Sequence, residues 1–353
     1  FDVDNPTRIS VSGTRSYSSE FTMDGAPNMQ RGRPAYSPPP GVVEEFKIQT
    51  ATFDASYGFM VGAAMNVSLK SGTNRLNGQM YFFHQNPKLN ANKFLRNRSG
   101  AEKSIFRVSR WGGSVSGPIV LPKLYDGRNR SFWMYGYEGI DSQDPLSDVS
   151  AAVPTARQKA GNFSDLLAIG PQYQIYDPFS IQPAPGGRFS RQPLAGNIIP
   201  VSLIHPIAGK IVQLYDPPTR TGTVDGKNNF VRDQKAHDRY YNHIFRIDHN
   251  FSDKQRFFAR AYATAMNRPQ VVYFGNAVGD IYQRWNRGLA FDHVYTFSPR
   301  LILNTRYSYT RFIQGNQPLQ MGWDLAGLGF SGDYINRVKQ VETRAVKLPG
   351  IQI

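Results

Sequence analysis

The chain has 353 residues, 41 Lys and Arg against 26 Asp and Glu for a formal charge of +15, and no cysteine. Disulfides and thiolate metal sites are thereby excluded, and no apolar run of about 18 residues offers a membrane-spanning helix. The 23 Phe, 19 Tyr, 32 Gly and 24 Pro, at a mean hydropathy of −0.46, suit many strands and turn-rich loops, as in a β-barrel wall that alternates lipid-facing and lumen-facing residues.

The basic residues are scattered along the chain. Lipid phosphates or an anionic ligand fit such a surface. Nucleic acid is not expected, because no recognition motif or groove-docking element accompanies the charge. No basic segment followed by an apolar stretch opens the chain, so no signal peptide is visible. The start at Phe1 rather than Met reads as that of a fragment or a processed product.

In chain order, RISVSGTR (8–15) alternates with Ile9 and Val11 on one face. FTMDGAPN carries Asp24-Gly25, a hairpin signal. YSPPPG (36–41) is a rigid loop, since consecutive prolines cannot join a ladder. VVEEFKIQTATF resumes alternation, with Phe46 and Ile48 against Lys47 and Gln49. YGFMVGAAMNVSLK (57–70) leads into another short strand, which stops at the polar turn Lys70-Ser71-Gly72-Thr73-Asn74. From about residue 79 the chain turns aromatic, and strands are predicted over 79–86, 105–117, 131–139, 241–250, 256–266, 287–297 and 301–312. In the fourth, Phe245, Ile247, His249 and Phe251 oppose Arg246, Asp248 and Asn250. In the fifth, Arg256, Phe258, Arg260 and Tyr262 oppose Phe257 and three alanines. In the sixth, Leu289, Phe291 and Tyr295 oppose Asp292 and Thr296. In the last, Leu301, Leu303, Tyr307 and Tyr309 oppose Asn304, Arg306, Ser308 and Thr310. The turns Ser252–Gln255 and Ser298–Arg300 are tight, whereas residues 141–240 form a long Pro- and Gly-rich excursion. Within it HPIAGKIVQLY predicts a short helix with Pro206 in its first turn. Short turns on one side and long loops on the other suit an outer-membrane barrel. A soluble antiparallel sheet with one wet face has the same alternation.

Residues 43–70 resemble the plug of TonB-dependent outer-membrane transporters: Val43 to Ile48 stand for its first strand, followed by Tyr57-Gly58, Gly62, Asn66 and Leu69-Lys70, with Ala63 in place of a second glycine and Leu69 in place of threonine. The match is closer to the Oar-like branch, whose members carry a carboxypeptidase-regulatory-like module ahead of the plug. Asp24-Gly25, Glu45-Phe46-Lys47, Gln49, Ala55, Tyr57-Gly58, Lys70-Ser71-Gly72-Thr73-Asn74 and Gly78 resemble that branch, as do GGSVSGPI, DGRNRSFWMYGYEG, GNFSDL, YDP, GNIIPVSLIHPIAGKIVQLY and RIDHNFSDKQRFFARA, covering about residues 5–320.

The resemblance implies a mainly β chain: a small α+β plug remnant over 1–75, then, over 76–353, antiparallel strands of an incomplete transmembrane β-barrel with a long irregular extracellular loop at about 141–240. It implies plug residues Asp24, Gly25, Glu45, Phe46, Tyr57, Gly58, Gly62 and Asn66. A plug-to-barrel junction runs over Lys70, Ser71, Gly72, Thr73, Asn74 and Gly78, with Gly72 placed for positive φ. Lumen candidates are Arg246, Asp248, Arg260, Asn304 and Arg306. The wall of that family has about 22 strands and far fewer are predicted here, so the chain reads as an internal piece. It lacks the TonB box, regulatory-like module and terminal strand. The implied function is active transport in the Gram-negative outer membrane, with loops and plug capturing an unassigned substrate. Partners would be outer-membrane lipid and the TonB energy-coupling complex, through a segment absent here. An adhesive or structural barrel and a soluble β-rich binding module are the alternatives.

No enzyme is expected, and no cofactor. HExxH does not occur; His237 and His243 lie six apart with Asp238 and Asp248 nearby, but His243 and His249 read as wall residues in preference to ligands of a lumenal metal. GLGFSG (327–332) lacks the strand-then-helix context of a dinucleotide site, and VDGKNN lacks the first glycine and the hydroxyl residue of a phosphate loop. GGSVSG puts Val115 where a nucleophile elbow needs serine. Glu44 and Glu45 point to opposite faces of a strand. Arg15, Arg31 and Arg33 with Arg246, Arg260 and Arg306 are read as ordinary polar lumen residues in preference to an anion-attracting funnel.

Overall fold

The computed structural model describes residues 11, 13–15, 18–30, 33–50, 62–92, 94–98, 103, 106–145, 149–232, 235–269, 279–343 and 346–348. It divides into two compact units, Phe1–Gln143 with His237–Arg268 and Tyr282–Gly315, and Asp144–Ala236 with Pro269–Ile281 and Asn316–Ile353. Half of the strand predicted over 8–15, and the Ala55, Tyr57 and Gly58 positions, lie outside the described residues.

The first unit begins with a small sheet of four strands, β1 (Glu20–Met23), β2 (Ala26–Pro27), β3 (Val43–Gln49) and β4 (Ala64–Leu69), in the order β2-β1-β4-β3. Asp24 and Gly25 form the two-residue β1–β2 turn with φ of 51° and 72°, the left-handed geometry that Asp-Gly accommodates. β1 runs parallel to β4 and β3 antiparallel to it. The two central strands are buried on both faces. Met23 and Leu69 join one core cluster, while Phe21, Ala63 and Met65 form another. β3 lies at the edge with Phe46 and Ile48 exposed, and a register shift at Glu44 breaks its simple alternation.

Seven strands follow in one large sheet, paired in sequence order: β5 (Asn77–Gln85), β6 (Arg107–Pro118), β7 (Ser131–Pro145), β8 (Lys235–Ser252), β9 (Gln255–Pro269), β10 (Asp280–Ser298) and β11 (Leu301–Pro318). β5–β6, β6–β7 and β8–β9 are antiparallel. Among the described residues β5 and β11 are not paired with each other, so the sheet is open. The predicted faces hold. Asn242, Ile244, Arg246, Arg260, Tyr262, Asn286 and Asp292 are buried on the inner face, while Phe245, Phe251, Phe291, Phe297, Leu303, Tyr307 and Tyr309 are exposed on the outer one. This outer apolar band is far more than scattered surface apolarity, and no helix among the described residues is long and apolar enough to cross a membrane. Most strands outrun their predicted lengths. β10 extends back to Asp280 through Tyr282, Gln283, Arg284 and Asn286, where both faces carry polar groups. The ladder continues there with no hydropathy contrast to reveal it.

Glycines of the wall are covered by aromatic rings from the neighbouring strand. A Cβ on Gly112 would strike the Tyr81 ring, on Gly139 the Trp111 indole, and on Gly288 the Tyr262 ring. The ring replaces the missing side chain, and the pairing fixes register. At Gly136 the space is filled by Val42, so the turn that leads into β3 approaches the wall backbone there.

The second unit shows that the long excursion is ordered locally. Asn197, fully buried, ties three segments: its amide donates to the carbonyls of Phe163 and Tyr173 at 3.0 Å each and its oxygen accepts from the Ile175 amide at 2.6 Å. The predicted helix is present at Pro206–Val212, with His205 accepting from the Ile207 amide. GLGFSG joins two helices, Leu325–Leu328 and Gly332–Val341. Gly329 at φ 101° closes the first, and Ser331 caps the second. Leu325, Leu328 and Leu348 form a core with Ile211, Leu214 and Trp323 packed against it. VDGKNN is a polar turn, in which the Lys227 ammonium and the Thr223 hydroxyl hold the Asp225 carboxyl well below the usual carboxylate range.

Gly288→Ala drives a methyl into the Tyr262 ring and is expected to lower stability by about 1–3 kcal/mol, as overpacking does. The urea midpoint of the full-length protein in detergent micelles measures it. An unchanged midpoint would show that the ring moves aside freely.

Candidate functional site

The inner face of the wall and the small sheet meet at three sets of polar contacts. The first centres on Asp24. Its left-handed turn points the carboxylate at the wall. Oδ1 accepts from the Leu69 amide at 2.9 Å and pairs with Arg246 Nη1 at 3.1 Å, while Oδ2 pairs with Arg260 Nη1. Arg260 also donates to the Met23 carbonyl at 2.8 Å. Arg246 holds Asp248 through Nη2 at 2.7 Å and lies over the Phe258 ring. Both arginines are nearly buried, at 8% and 5% exposure. Beside them Arg306 donates to the Gly25 carbonyl at 2.7 Å and to Asp292 at 2.6 Å, and Asn304 donates to the same carboxylate. Asn66 supports the turn from behind, accepting from the Gly25 amide at 3.0 Å and the Thr22 hydroxyl at 2.8 Å.

The second set is built on Tyr36. Its ring stacks on Tyr262 with centroids 3.8 Å apart, and its hydroxyl donates to Asn242 Oδ1 at 2.9 Å. Asn242 in turn donates to the Ser37 carbonyl at 3.0 Å, and Asn286 donates to the Ala35 carbonyl. The rigid Pro38–Pro40 run follows this segment. In the third set the Gly41 carbonyl accepts from Lys70 Nζ at 3.2 Å, Gln79 Nε2 at 2.8 Å and Ser114 Oγ at 3.0 Å.

The junction is pinned as well. Asn74 donates to Asn129 Oδ1 at 2.5 Å, and its own oxygen accepts from the Asn129 amide at 2.7 Å. Asn77 donates to Thr73 Oγ1 at 2.9 Å. Gly72 is not at positive φ, which corrects the sequence expectation. Its need is steric, because a Cβ there would lie 2.7–2.8 Å from the Gly117 carbonyl, Phe132 Cβ and the Trp133 carbonyl. Next to it a cavity of about 360 Å³ is lined by Ser71, Gly72, Arg246, Asp248, Arg256 and Asp292 among others.

The structure thus brings Asp24, Gly25 and Asn66 together with all five lumen candidates, Arg246, Asp248, Arg260, Asn304 and Arg306, while Lys70 joins the Gly41 set. Gly62 stands apart from the wall contacts; its amide donates to the Ser18 carbonyl at 2.7 Å, and a Cβ there would strike that backbone. Glu45 and Phe46 are exposed on β3, and Gly78 pairs with Val115 in the wall. The inner arginines are not the hydrated lumen groups expected, since Arg246 and Arg260 are buried against the small sheet. Tyr36, Gly41, Asn242, Asn286 and Asp292 belong to the site without having been singled out; strand parity placed Asn242 and Asp292 inward, while Asn286 lies just ahead of the strand predicted over 287–297. Among the described residues no group of three or more His, Asp or Glu is arranged to hold a metal. What the arrangement does is latch one sheet to the other through charges paired away from water.

Residues 68–353 match the model of a family described as an outer membrane beta barrel domain. No curated protein matches by sequence. Among solved structures the chain is similar to the outer membrane transporter YddB from Escherichia coli, at 10% identity and a TM-score of 0.54, over 89% of this chain and 34% of that one. Two further similar structures are the ferric-catecholate import receptor Fiu from E. coli K12, at 12% identity, TM-score 0.39, 86% of this chain and 43% of that one, and the siderophore receptor PiuA from Acinetobacter baumannii, at 11%, 0.35, 86% and 39%. The chain therefore spans about a third of the length of YddB.

Asp24→Ala removes the carboxylate shared by two buried arginines, and breaking such a pair costs about 3–5 kcal/mol. Thermolysin cleavage within residues 20–69 of the full-length protein is expected to accelerate accordingly, with Asp24→Asn intermediate. Wild-type protease resistance in the alanine variant would show that the latch carries no stability.

Proposed function

The chain belongs to the outer-membrane β-barrel family and has its place in the Gram-negative outer membrane; from this we propose that residues 1–75 are the plug of a TonB-dependent active transporter and that the wall beginning at residue 76 is the first part of its barrel. The turns Ser252–Gln255 and Ser298–Leu301 then face the periplasm, and the excursion at about 141–240 faces outward. The motifs from Asp24-Gly25 to RIDHNFSDKQRFFARA resemble the Oar-like branch and support that assignment. The outer loops capture the substrate, and TonB, acting on a segment ahead of the plug, supplies the work that moves it. The chain acts as a transporter and not as an enzyme, with outer-membrane lipid around its wall.

The observation that carries this reading is the latch from Asp24 to Arg246 and Arg260. Buried ion pairs are poor sources of net stability, because desolvation offsets most of their attraction. They are well suited to holding one arrangement until work is done on it, since an opened pair regains its hydration. In the closed state the plug carbonyls of Met23, Gly25, Ala35 and Gly41 are satisfied by wall side chains. Opening exposes donors and acceptors together, so a polar path forms where the latch was. The cavity beside Ser71 and Gly72 is the start of that path on the periplasmic side.

A cysteine placed in the plug reports the movement cleanly, because the chain has none of its own. Ser19 is 1% exposed and differs from Cys only in the side-chain heteroatom. In whole cells, Ser19→Cys is expected to react with a hydrophilic maleimide at least several-fold faster when the inner membrane is energised than after an uncoupler is added. Equal rates in the two conditions would refute energy-driven plug movement.

A further inference from the structure

The outer face of β5, β6 and β7 carries a feature the transport reading does not use. The cross-strand rows on that face are Gly78–Val115–Tyr135, Met80–Gly113–Tyr137 and Phe82–Trp111–Gly139. One glycine occurs in each row, one strand further along each time, so Gly78, Gly113 and Gly139 make a diagonal crossing three strands. At Gly139 the Trp111 indole leans across. At Gly113 the middle of the row has no side chain at all, between Met80 on one bank and Tyr137 on the other. The result is an almost wholly apolar groove of about 680 Å³ lined by Met80, Phe82, Trp111, Val115, Tyr135 and Tyr137. That is the volume of a ligand pocket rather than of a packing defect. Of the tyrosines that line it, Tyr135 has its hydroxyl paired with His243 Nδ1 at 2.8 Å, so that hydroxyl makes no demand on an apolar occupant.

We propose that this groove holds one acyl chain of a phospholipid. The groove is continuous with the outward apolar band of the wall, and its surroundings are membrane hydrocarbon. A linear chain fits a trench floored at Gly113 that the side chains on its two banks leave unfilled. A strand added at the free edge of β5 would lie in the plane of the sheet, about 4.8 Å away, and would leave the trench open from the outside. The row Gly78–Val115–Tyr135 opens the trench one to four positions from the strand ends at Asn77, Pro118 and Ser131, the side of the short turns. On the barrel reading above, on which the choice of leaflet rests, that is the periplasmic side, so the chain belongs to a phospholipid and not to an outer-leaflet glycolipid.

The test uses the full-length protein in vesicles containing phosphatidylglycerol with a diazirine on one acyl chain. Photolabelling is mapped by mass spectrometry at residues 78–82 and 111–115 and, for comparison, around Leu303, an exposed outer-face residue near the same end of the wall. The expected result is at least fivefold more label in the groove than at Leu303 at low probe fraction. Val115→Trp and Met80→Trp, which add an indole from opposite banks, are expected to abolish the excess while leaving Leu303 labelling unchanged. Equal labelling at the two places, or an excess that survives both variants, would overturn the groove proposal alone. An excess seen only with a diazirine-bearing lipid A added to the outer leaflet would overturn the choice of phospholipid. Absence of label at either place would overturn the membrane placement of this wall as well.

Discussion

Two arginines, Arg246 and Arg260, sit on the inner face of the large sheet with almost no contact with water. A guanidinium in that position is costly unless a carboxylate and further acceptors surround it. Asp24 pairs with both at once, from a turn whose backbone is left-handed and whose next residue is glycine. The strands on either side follow from that requirement. β1 must end at Met23 so that its carbonyl meets Arg260, and β4 must end at Leu69 so that its amide meets the same carboxylate. The small sheet is therefore shaped at this corner by the charge it has to neutralise, and the apolar cluster of Met23, Tyr36, Val42, Leu69, Met134, Ile244 and Tyr262 packs around that corner.

The wall is polar within and apolar without, but its inner polarity is not directed at bulk water. Gln79, Ser114, Asn242 and Asn286 are spent on carbonyls of the segment between residues 35 and 41. These interactions give the large sheet a complementary template for one particular partner face. The glycines contribute in the opposite sense. Where a ring from the next strand fills the gap, as Tyr262 does over Gly288, the sheet is tightened. Where none does, as at Gly113, it is hollowed on its lipid side.

Much of this was legible in the sequence, for reasons that also explain the misses. Alternation in 241–250, 256–266, 287–297 and 301–312 assigned the faces correctly, because a half-buried strand has to expose one residue type and hide the other. The Asp24-Gly25 turn and the end of β4 at Leu69 were readable because few residues tolerate those conformations or interrupt a strand so abruptly. The latch itself was hidden. Asp24 and its arginines are over 200 residues apart in the chain, and half of the acceptors are backbone carbonyls, which leave no residue-type signature. Strand ends were missed where both faces are polar. Gly72 was assigned the wrong reason, since close backbone approach and positive φ make the same demand on the sequence.

The reciprocal bonds between Asn74 and Asn129 set a mechanical boundary condition. They moor the trailing end of the small sheet to a turn of the large one, at the same rim as the tight hairpin turns. Any displacement of the small sheet is then a swing about that mooring, with the leading end before β1 travelling furthest and the stretch after Leu69 hardly at all. On the plug reading proposed above, a hinge of that kind would let the small sheet return to its seat without having to find it again.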